Sequence, residues 1–205
     1  IAASVDMYND WFVRFAPQTF RATRIQTTEY VETAQRLTGF MTDIHPSLLR
    51  QYPEILPTLR MSTCPPLAVD RLIGLAGVSK ALVSAMEVDK RLPPRISTQA
   101  LETQLAKIAT IIGKMVDPDI FTWLNPQRSP TEAETYRAAT IVADRLCGAV
   151  ANPIIRNAQE KRQLAAIVTW LEQRGYEQLS NSDRVRFDAM PAGTFCFRIN
   201  VPVRQ

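Results

Sequence analysis

The chain has 205 residues, of which 46% are hydrophobic and 21% are charged, so it can bury one substantial core and lies within the ordinary globular range. Glycine is scarce (7 residues) and proline is common (14), which favours helices interrupted by prolines over a sheet-rich fold with glycine turns. The net charge of +4 agrees with nucleic-acid binding without requiring it, while three scattered cysteines and a single histidine argue against a disulfide scaffold or a structural zinc site.

The cysteines also indicate the redox state of the compartment in which the protein works. Three free thiols without a C-x-x-C pair favour a reducing environment. We find no signal peptide and no apolar run that approaches membrane-spanning length, so we expect a cytoplasmic protein with no membrane partner.

The chain opens on Ile1 without a methionine and stops at Gln205 directly after a predicted strand, so we expect both ends to be cuts through a longer protein.

The first half of the chain predicts helices separated by prolines. Apolar residues recur at helical spacing over residues 1–16, and we expect Pro17 to end that helix. A second helix is predicted from Phe20 to Leu37, and prolines divide residues 43–66 into short helical turns. Residues 67–88 predict two short helices with a hinge at residues 76–79. Ser97 is predicted to cap a helix with the apolar stripe Leu101, Leu105, Ile108, Ile112 and Met115.

The second half predicts two more helices and one strand. Residues 129–132 (SPTE) form a capping-box pattern with proline at the first helical position, which predicts a helix to about Cys147. Asn152-Pro153 predicts a separate helix that runs to Arg174, with Gly175 at its carboxyl end. Residues 194–203 alternate apolar and polar side chains and predict a strand. The fold class is therefore mainly α, with a helical domain over 1–150 and a helix-then-strand unit over 151–205.

The segment 71–86 (RLIGLAGVSKALVSAM) favours contact with DNA in two alternative ways. In a helix-turn-helix, Gly77 supplies the left-handed position of the turn and Ser79 caps a second helix that enters the major groove. In a helix-hairpin-helix, the backbone amides of the turn meet a phosphate at the start of that second helix. An ordinary turn between two core helices explains Gly77 equally well. Arg71 and Lys80 flank the turn and shift the balance towards phosphate contact.

No complete catalytic site is present in the sequence. The chain contains no G-x-x-x-x-G-K-[ST] loop, no G-x-S-x-G elbow and no H-E-x-x-H pattern. We expect His45, which precedes a proline, to cap a helix or lie on the surface. None of the five lysines has a carboxylate two positions earlier, as a D/E-x-K metal-dependent nuclease strand requires. Residues 117–119 (DPD) are interpreted as a helix terminator.

Four segments carry a family resemblance. They are residues 4–15 (SVDMYNDWFVRF), 59–87 (LRMSTCPPLAVDRLIGLAGVSKALVSAME), 152–175 (NPIIRNAQEKRQLAAIVTWLEQRG) and 190–203 (MPAGTFCFRINVPV). In this order they resemble the XamI family of restriction endonucleases, and residues 59–87 are the most specific of the four. Val69 departs from the pattern, because a basic residue is expected there.

The resemblance implies a type II enzyme of the bacterial cytoplasm that cuts a short palindrome of the GTCGAC kind in double-stranded DNA. It implies a PD-(D/E)XK core that uses Mg²⁺ and no organic cofactor, and a homodimer that matches the two-fold site. Helix 153–174 and strand 194–203 would be the first helix and first strand of that core. The main acidic residue and the E-x-K strand would lie beyond Gln205, so the chain alone would be inactive.

Individual residues are expected at the metal and at the DNA. In this resemblance Glu160 would add to the metal shell, although an ion pair with Arg156 on an exposed helix face would also explain it. The residues expected at DNA are Arg60, Arg71, Gly77, Ser79, Lys80, Arg156, Lys161 and Arg162. The alternative function is a non-enzymatic helical DNA-binding protein or regulator that uses residues 71–86. An acidic residue followed by E-x-K in the gene beyond Gln205 would favour the enzyme.

Overall fold

The structure is a computed structural model that describes residues 2–179 and 190–197, with side chains from Tyr8 onward. Its helices are α1 (Ala2–Leu37), α2 (Pro46–Gln51), α3 (Leu56–Met61), α4 (Val69–Ala76), α5 (Lys80–Ser84), α6 (Thr98–Met115) and α7 (Glu132–Glu172). A 3-10 turn at Pro53–Ile55 precedes α3, and a π-helical turn at Ala85–Asp89 continues α5. The prediction of a mainly α fold is thus confirmed for the described residues.

The chain divides into two compact units, Ile1–Asn152 and Pro153–Gln205. In the second unit, β1 (Glu177–Gln178) pairs in parallel with β2 (Thr194–Phe195), and Glu177 lies opposite Thr194. The strand predicted over 194–203 therefore begins where expected but ends at Phe195, since Cys196 and Phe197 are not in a strand, and its residues 198–203 lie outside the described part. Strand β1 was not predicted, because two exposed residues carry no alternating pattern.

Two prolines do not end their helices, contrary to the predictions. Pro17 lies inside α1 and Pro153 lies inside α7, so Ala2–Leu37 is one helix and Glu132–Glu172 is another. Each proline removes one backbone hydrogen bond, at a cost of roughly 3 kcal/mol. The neighbouring residues Ala16 and Ala151 are buried on the two helices, so tertiary packing holds the backbone helical through both sites.

The start of α7 also differs from the prediction. Its capping box is formed by Thr131 and Glu134, two residues later than the predicted Ser129 box. The Thr131 hydroxyl accepts the Glu134 N–H at 3.3 Å, and the Glu134 carboxylate accepts the Thr131 N–H at 2.9 Å. The sequence offers two overlapping boxes, and only the second has a carboxylate three residues after the cap that reaches back to it.

The core of the first unit is built around α6. Leu101, Leu105, Ile108 and Ile112 are buried as predicted, and Ser97 caps the helix by accepting the Ala100 N–H at 3.3 Å. Trp123 is fully buried in the same hydrophobic core as these α6 residues. Its Nε1–H donates to the carbonyl of Phe40 at 2.8 Å, in a turn where residues 39–41 all have positive φ. This turn ends α1 and presents the carbonyl that the indole needs.

Helix α7 is long and apolar enough to pass a test for a membrane span, contrary to the expectation from the sequence. Among the described residues it is the one candidate, and its most apolar 18-residue window has a mean hydropathy of 1.3. About 44% of that window is buried inside the protein, and core helices pass the same test of length and composition. The observation is weak evidence for a membrane span.

Candidate nucleic-acid interface

The turn between α4 and α5 has the left-handed glycine and the capped second helix that a helix-turn-helix and an ordinary turn between core helices both require. Gly77 ends α4 in the left-handed conformation, with φ 58° and ψ 47°. Val78 turns inward and is 8% exposed, and Ser79 caps α5 by accepting the Leu82 N–H at 3.2 Å. Three residues therefore reverse the chain and leave Lys80 at the first position of the second helix.

The backbone amides of the turn discriminate between the two DNA-binding interpretations. The amides of Gly77 and Val78 both donate to the carbonyl of Ile73, at 2.9 and 3.3 Å. The amide of Ser79 donates to Oε1 of Gln104 on α6 at 2.8 Å. Because all three amides already have acceptors, a phosphate held by them would have to displace existing bonds. The geometry thus favours the helix-turn-helix interpretation over the hairpin.

Arg71 and Lys80 project from this turn unit into solvent, and Gly77 and Ser79 are exposed beside them. Among the residues that the structure describes, neither basic side chain makes a hydrogen bond or an ion pair. Asp70, also exposed, is the acidic neighbour of Arg71 on α4. Both cations can therefore approach a phosphate without losing an existing interaction.

Arg60 has an internal position instead. It is 6% exposed, and its guanidinium donates to both carboxylate oxygens of Glu87, at 2.6 and 2.7 Å, as well as to the carbonyl of Leu67. This bidentate pair joins α3 to the π-helical turn after α5. Its burial is incompatible with the expected contact to DNA, so Arg60 is a structural residue that holds the second helix of the turn unit.

A second buried ion pair was missed in the sequence. Asp117 is 4% exposed and accepts from Arg145 Nη2 at 3.2 Å. Arg145 also donates to the carbonyls of Met61 and Thr63, at 3.0 and 3.2 Å. The position of Asp117 just beyond α6 agrees with a helix terminator, and its carboxylate additionally joins this loop to α7, while the Arg145 guanidinium joins α7 to the end of α3.

His45 has the capping role expected for it. Its Nδ1 accepts the Leu48 N–H at 3.1 Å at the start of α2. The Ser47 hydroxyl also lies 2.6 Å from Nδ1, and the exposed Asp43 lies 3.6 Å from Nε2, so both neighbours surround a ring nitrogen pair of which Nδ1 is already engaged in the cap.

The remaining predicted residues lie on α7 in the second unit. Arg156, Glu160, Lys161 and Arg162 are all exposed. Glu160 has an interaction of its own, and it lies four residues after Arg156 on the same helix. The described residues contain no group of three or more His, Cys, Asp or Glu side chains that could hold a metal ion. By themselves they do not form a magnesium site.

Comparison with known proteins identifies the family. Residues 39–205 match the XamI restriction endonuclease family. The chain is also 48% identical over 204 residues to the type II restriction enzyme SalI of Streptomyces albus G, an alignment that covers 99% of this chain and 64% of that enzyme. The chain thus spans less than two thirds of the length of this relative. No solved structure matches it. Since the family match covers most of the chain, this protein belongs to the XamI restriction endonuclease family.

Proposed function

We propose that this chain is the amino-terminal part of a type II restriction endonuclease that hydrolyses double-stranded DNA at a short palindromic site. The observation that carries the proposal is the 48% identity to a type II restriction enzyme along 99% of the chain. Likeness of this extent involves the core as well as the surface, so it supports a shared activity more strongly than a short motif does. It favours the enzyme over the alternative of a non-enzymatic DNA-binding regulator.

The two units have different roles in this proposal. The first, through the helix-turn-helix around Gly77, contacts DNA with Arg71, Ser79 and Lys80. The exposure of both cations and their lack of partners among the described residues support this role. Arg60 does not contact the DNA and contributes indirectly, because its ion pair with Glu87 holds in place the π-helical turn that continues α5.

The second unit contributes the beginning of the nuclease core. Helix α7 from Pro153 onward is its first helix, and β2 begins its first strand. Arg156, Lys161 and Arg162 add contacts to the DNA backbone, and Glu160 adds to the shell of a Mg²⁺ ion. The principal ligands of that ion belong to sequence beyond Gln205. The full-length enzyme acts as a homodimer in the bacterial cytoplasm, with one active site for each strand.

The test compares full-length protein with the 205-residue chain on plasmid DNA, with Mg²⁺ and with a chelator. We expect discrete fragments from the full-length protein with Mg²⁺ and no cleavage by the 205-residue chain, whose helical circular dichroism spectrum is the control for folding. Cleavage by the 205-residue chain would place the active site within it. Binding without cleavage by the full-length protein would favour the regulator instead.

A further inference from the structure

The outward face of α6 has a distinctive composition. Its exposed positions recur at spacings of three and four residues, on the side of the helix opposite the buried leucine and isoleucine stripe. The positions that follow this spacing are Ala100, Thr103, Lys107, Thr110 and Lys114, and Thr98, Gln99 and Gly113 of the same helix are exposed as well. The five spaced positions include two cations and no carboxylate, and their other three side chains are short. A long surface of this kind attracts a polyanion and lets it approach the helix closely.

The two lysines have no partner that explains them as ordinary surface charges. An acid three or four residues away on a helix is close enough to pair with a surface lysine. The residues at those distances from Lys107 are Thr103, Gln104, Thr110 and Ile111. Within the described residues, neither Lys107 nor Lys114 makes a side-chain hydrogen bond or an ion pair. The acid nearest to Lys114 along the chain, Asp117, is buried against Arg145.

This face borders the helix-turn-helix. The side chain of Gln104 accepts the Ser79 N–H at 2.8 Å, which fixes one flank of α6 beside the turn that carries Lys80. Lys107 lies one helical turn beyond Gln104 and Lys114 lies two turns further. On the opposite flank, Glu102 is paired with Arg50 of α2 at 2.8 Å. The acidic side chain of α6 is therefore neutralised on the side that faces away from the turn.

We propose that the outward face of α6 binds the sugar-phosphate backbone of duplex DNA through Lys107 and Lys114, as a continuation of the surface that carries Lys80. This inference rests on the proposed function. Seven helical residues separate the two lysines by about 10 Å along the axis. Phosphates of one DNA strand follow each other at about 3.4 Å along the duplex axis, so the lysines reach phosphates roughly three nucleotides apart. Contacts of this kind position the protein without selecting a sequence.

The test measures DNA affinity against salt concentration for the full-length protein, on duplexes with and without its recognition sequence. Lys107→Gln/Lys114→Gln removes both charges and keeps good helix formers. We expect weaker binding on both duplexes and a salt slope reduced by about two for each bound subunit, whereas the single Lys107→Gln reduces it by about one for each subunit. The matched control is Arg14→Ala/Arg21→Ala, which removes two exposed charges from α1.

Three results would overturn the inference. These are an unchanged slope in the lysine variants, an equal reduction in the α1 control, or a loss confined to the specific duplex, as an indirect effect on base recognition would give. Lys114 lies in the last turn of α6, where a cation also stabilises the helix dipole, so thermal unfolding is recorded for each variant. If the double variant unfolds, the salt slope of the single mid-helix variant Lys107→Gln decides whether the inference holds. If the unaltered protein neither binds nor cuts DNA, the proposed function fails as well.

Discussion

Trp123 in the first unit and Trp170 in the second occupy opposite environments. Trp123 is fully buried, lies edge-on to Phe121 with ring centroids 5.5 Å apart, and has its indole N–H bonded to the Phe40 carbonyl. Trp170 is 52% exposed, and its ring is covered by the guanidinium of Arg174, 3.6 Å from the centroid. One indole is part of a packed core, and the other makes a cation–π contact at the surface.

The same difference holds for the aliphatic residues. The buried residues Leu105, Ile108 and Ile112 belong to a continuous core in the first unit, whereas Ile154 and Ile167 of the second unit are both more than 40% exposed. Stabilisation by burial of apolar surface is therefore concentrated in the first unit. Exposed apolar side chains on α7 are also what the beginning of a larger core would present, which supports the proposed role of the second unit.

We expect the largest effect, a change in the free energy of unfolding, when the two tryptophans are replaced in turn. Trp123→Ala leaves a cavity and an unpaired carbonyl, so we expect it to lower the free energy of unfolding by roughly 3–5 kcal/mol. Trp170→Ala should cost less than about 1 kcal/mol, because it removes mainly an exposed cation–π contact. Urea denaturation of the two variants measures both costs. Similar costs would contradict the view that the core belongs to the first unit.

The next effect concerns the proposed role of Glu160 in catalysis. Glu160→Gln keeps the shape of the side chain and removes its charge, so folding and DNA affinity should be retained in the full-length protein. Cleavage should fall by roughly ten- to a thousand-fold if the carboxylate tunes the metal shell, and the loss should shrink with Mn²⁺, which the same ligands hold more tightly. Cleavage rates and DNA affinity are measured side by side.

The matched control for Glu160 is Glu172→Gln, another exposed glutamate on α7. It should leave the cleavage rate unchanged. Full activity in Glu160→Gln, or an equal loss in both variants, would remove Glu160 from the proposed metal shell and leave it as a surface residue.

The smallest expected effect is a pH dependence at the start of α7. Hydrogen bonds from the Arg128 guanidinium, and then from the Thr131 backbone, hold the pKa of Glu134 far below its ordinary value. A lowered pKa in the folded state stabilises the protein at neutral pH. That contribution is lost as the pH falls below about 4, the ordinary pKa of glutamate, towards the lowered value.

Thermal unfolding at pH 7 and pH 3 tests this dependence. Glu134→Gln should lower the melting temperature slightly at pH 7 and have less effect at pH 3. Glu132→Gln, in the same first turn of α7, should show no such difference. An effect of Glu134→Gln that grows towards acid pH would contradict the assigned ion pair with Arg128.

Features encoded by neighbouring residues could be predicted from the sequence. The apolar stripe of α6, its Ser97 cap and the Gly77 turn each depend on residues within a few positions of one another, and the structure agrees with all three. The continuity of α1 through Pro17 depends instead on packing against distant parts of the chain, which periodicity does not encode.

The buried charges show the same limit. Arg60 is 27 positions from Glu87, and Arg145 is 28 positions from Asp117. Nothing in the sequence distinguishes these arginines from those at the surface, so Arg60 was expected at the DNA. For the candidate interface, the sequence identified the turn unit and its exposed cations, but only the structure showed that Gln104 joins α6 to that turn.

In the proposed enzyme, the first unit carries the DNA-contacting surface, with Arg71 and Lys80 at the phosphates. The most direct test is the salt dependence of duplex binding by full-length Arg71→Ala/Lys80→Ala, next to the α1 control Arg14→Ala/Arg21→Ala. We predict that the first variant weakens binding alike on all sequences and reduces the slope of log affinity against log salt by about two for each bound subunit, while the control keeps the original slope. A slope unchanged from that of the unaltered protein would contradict the account and make the Gly77 turn an ordinary connection between core helices.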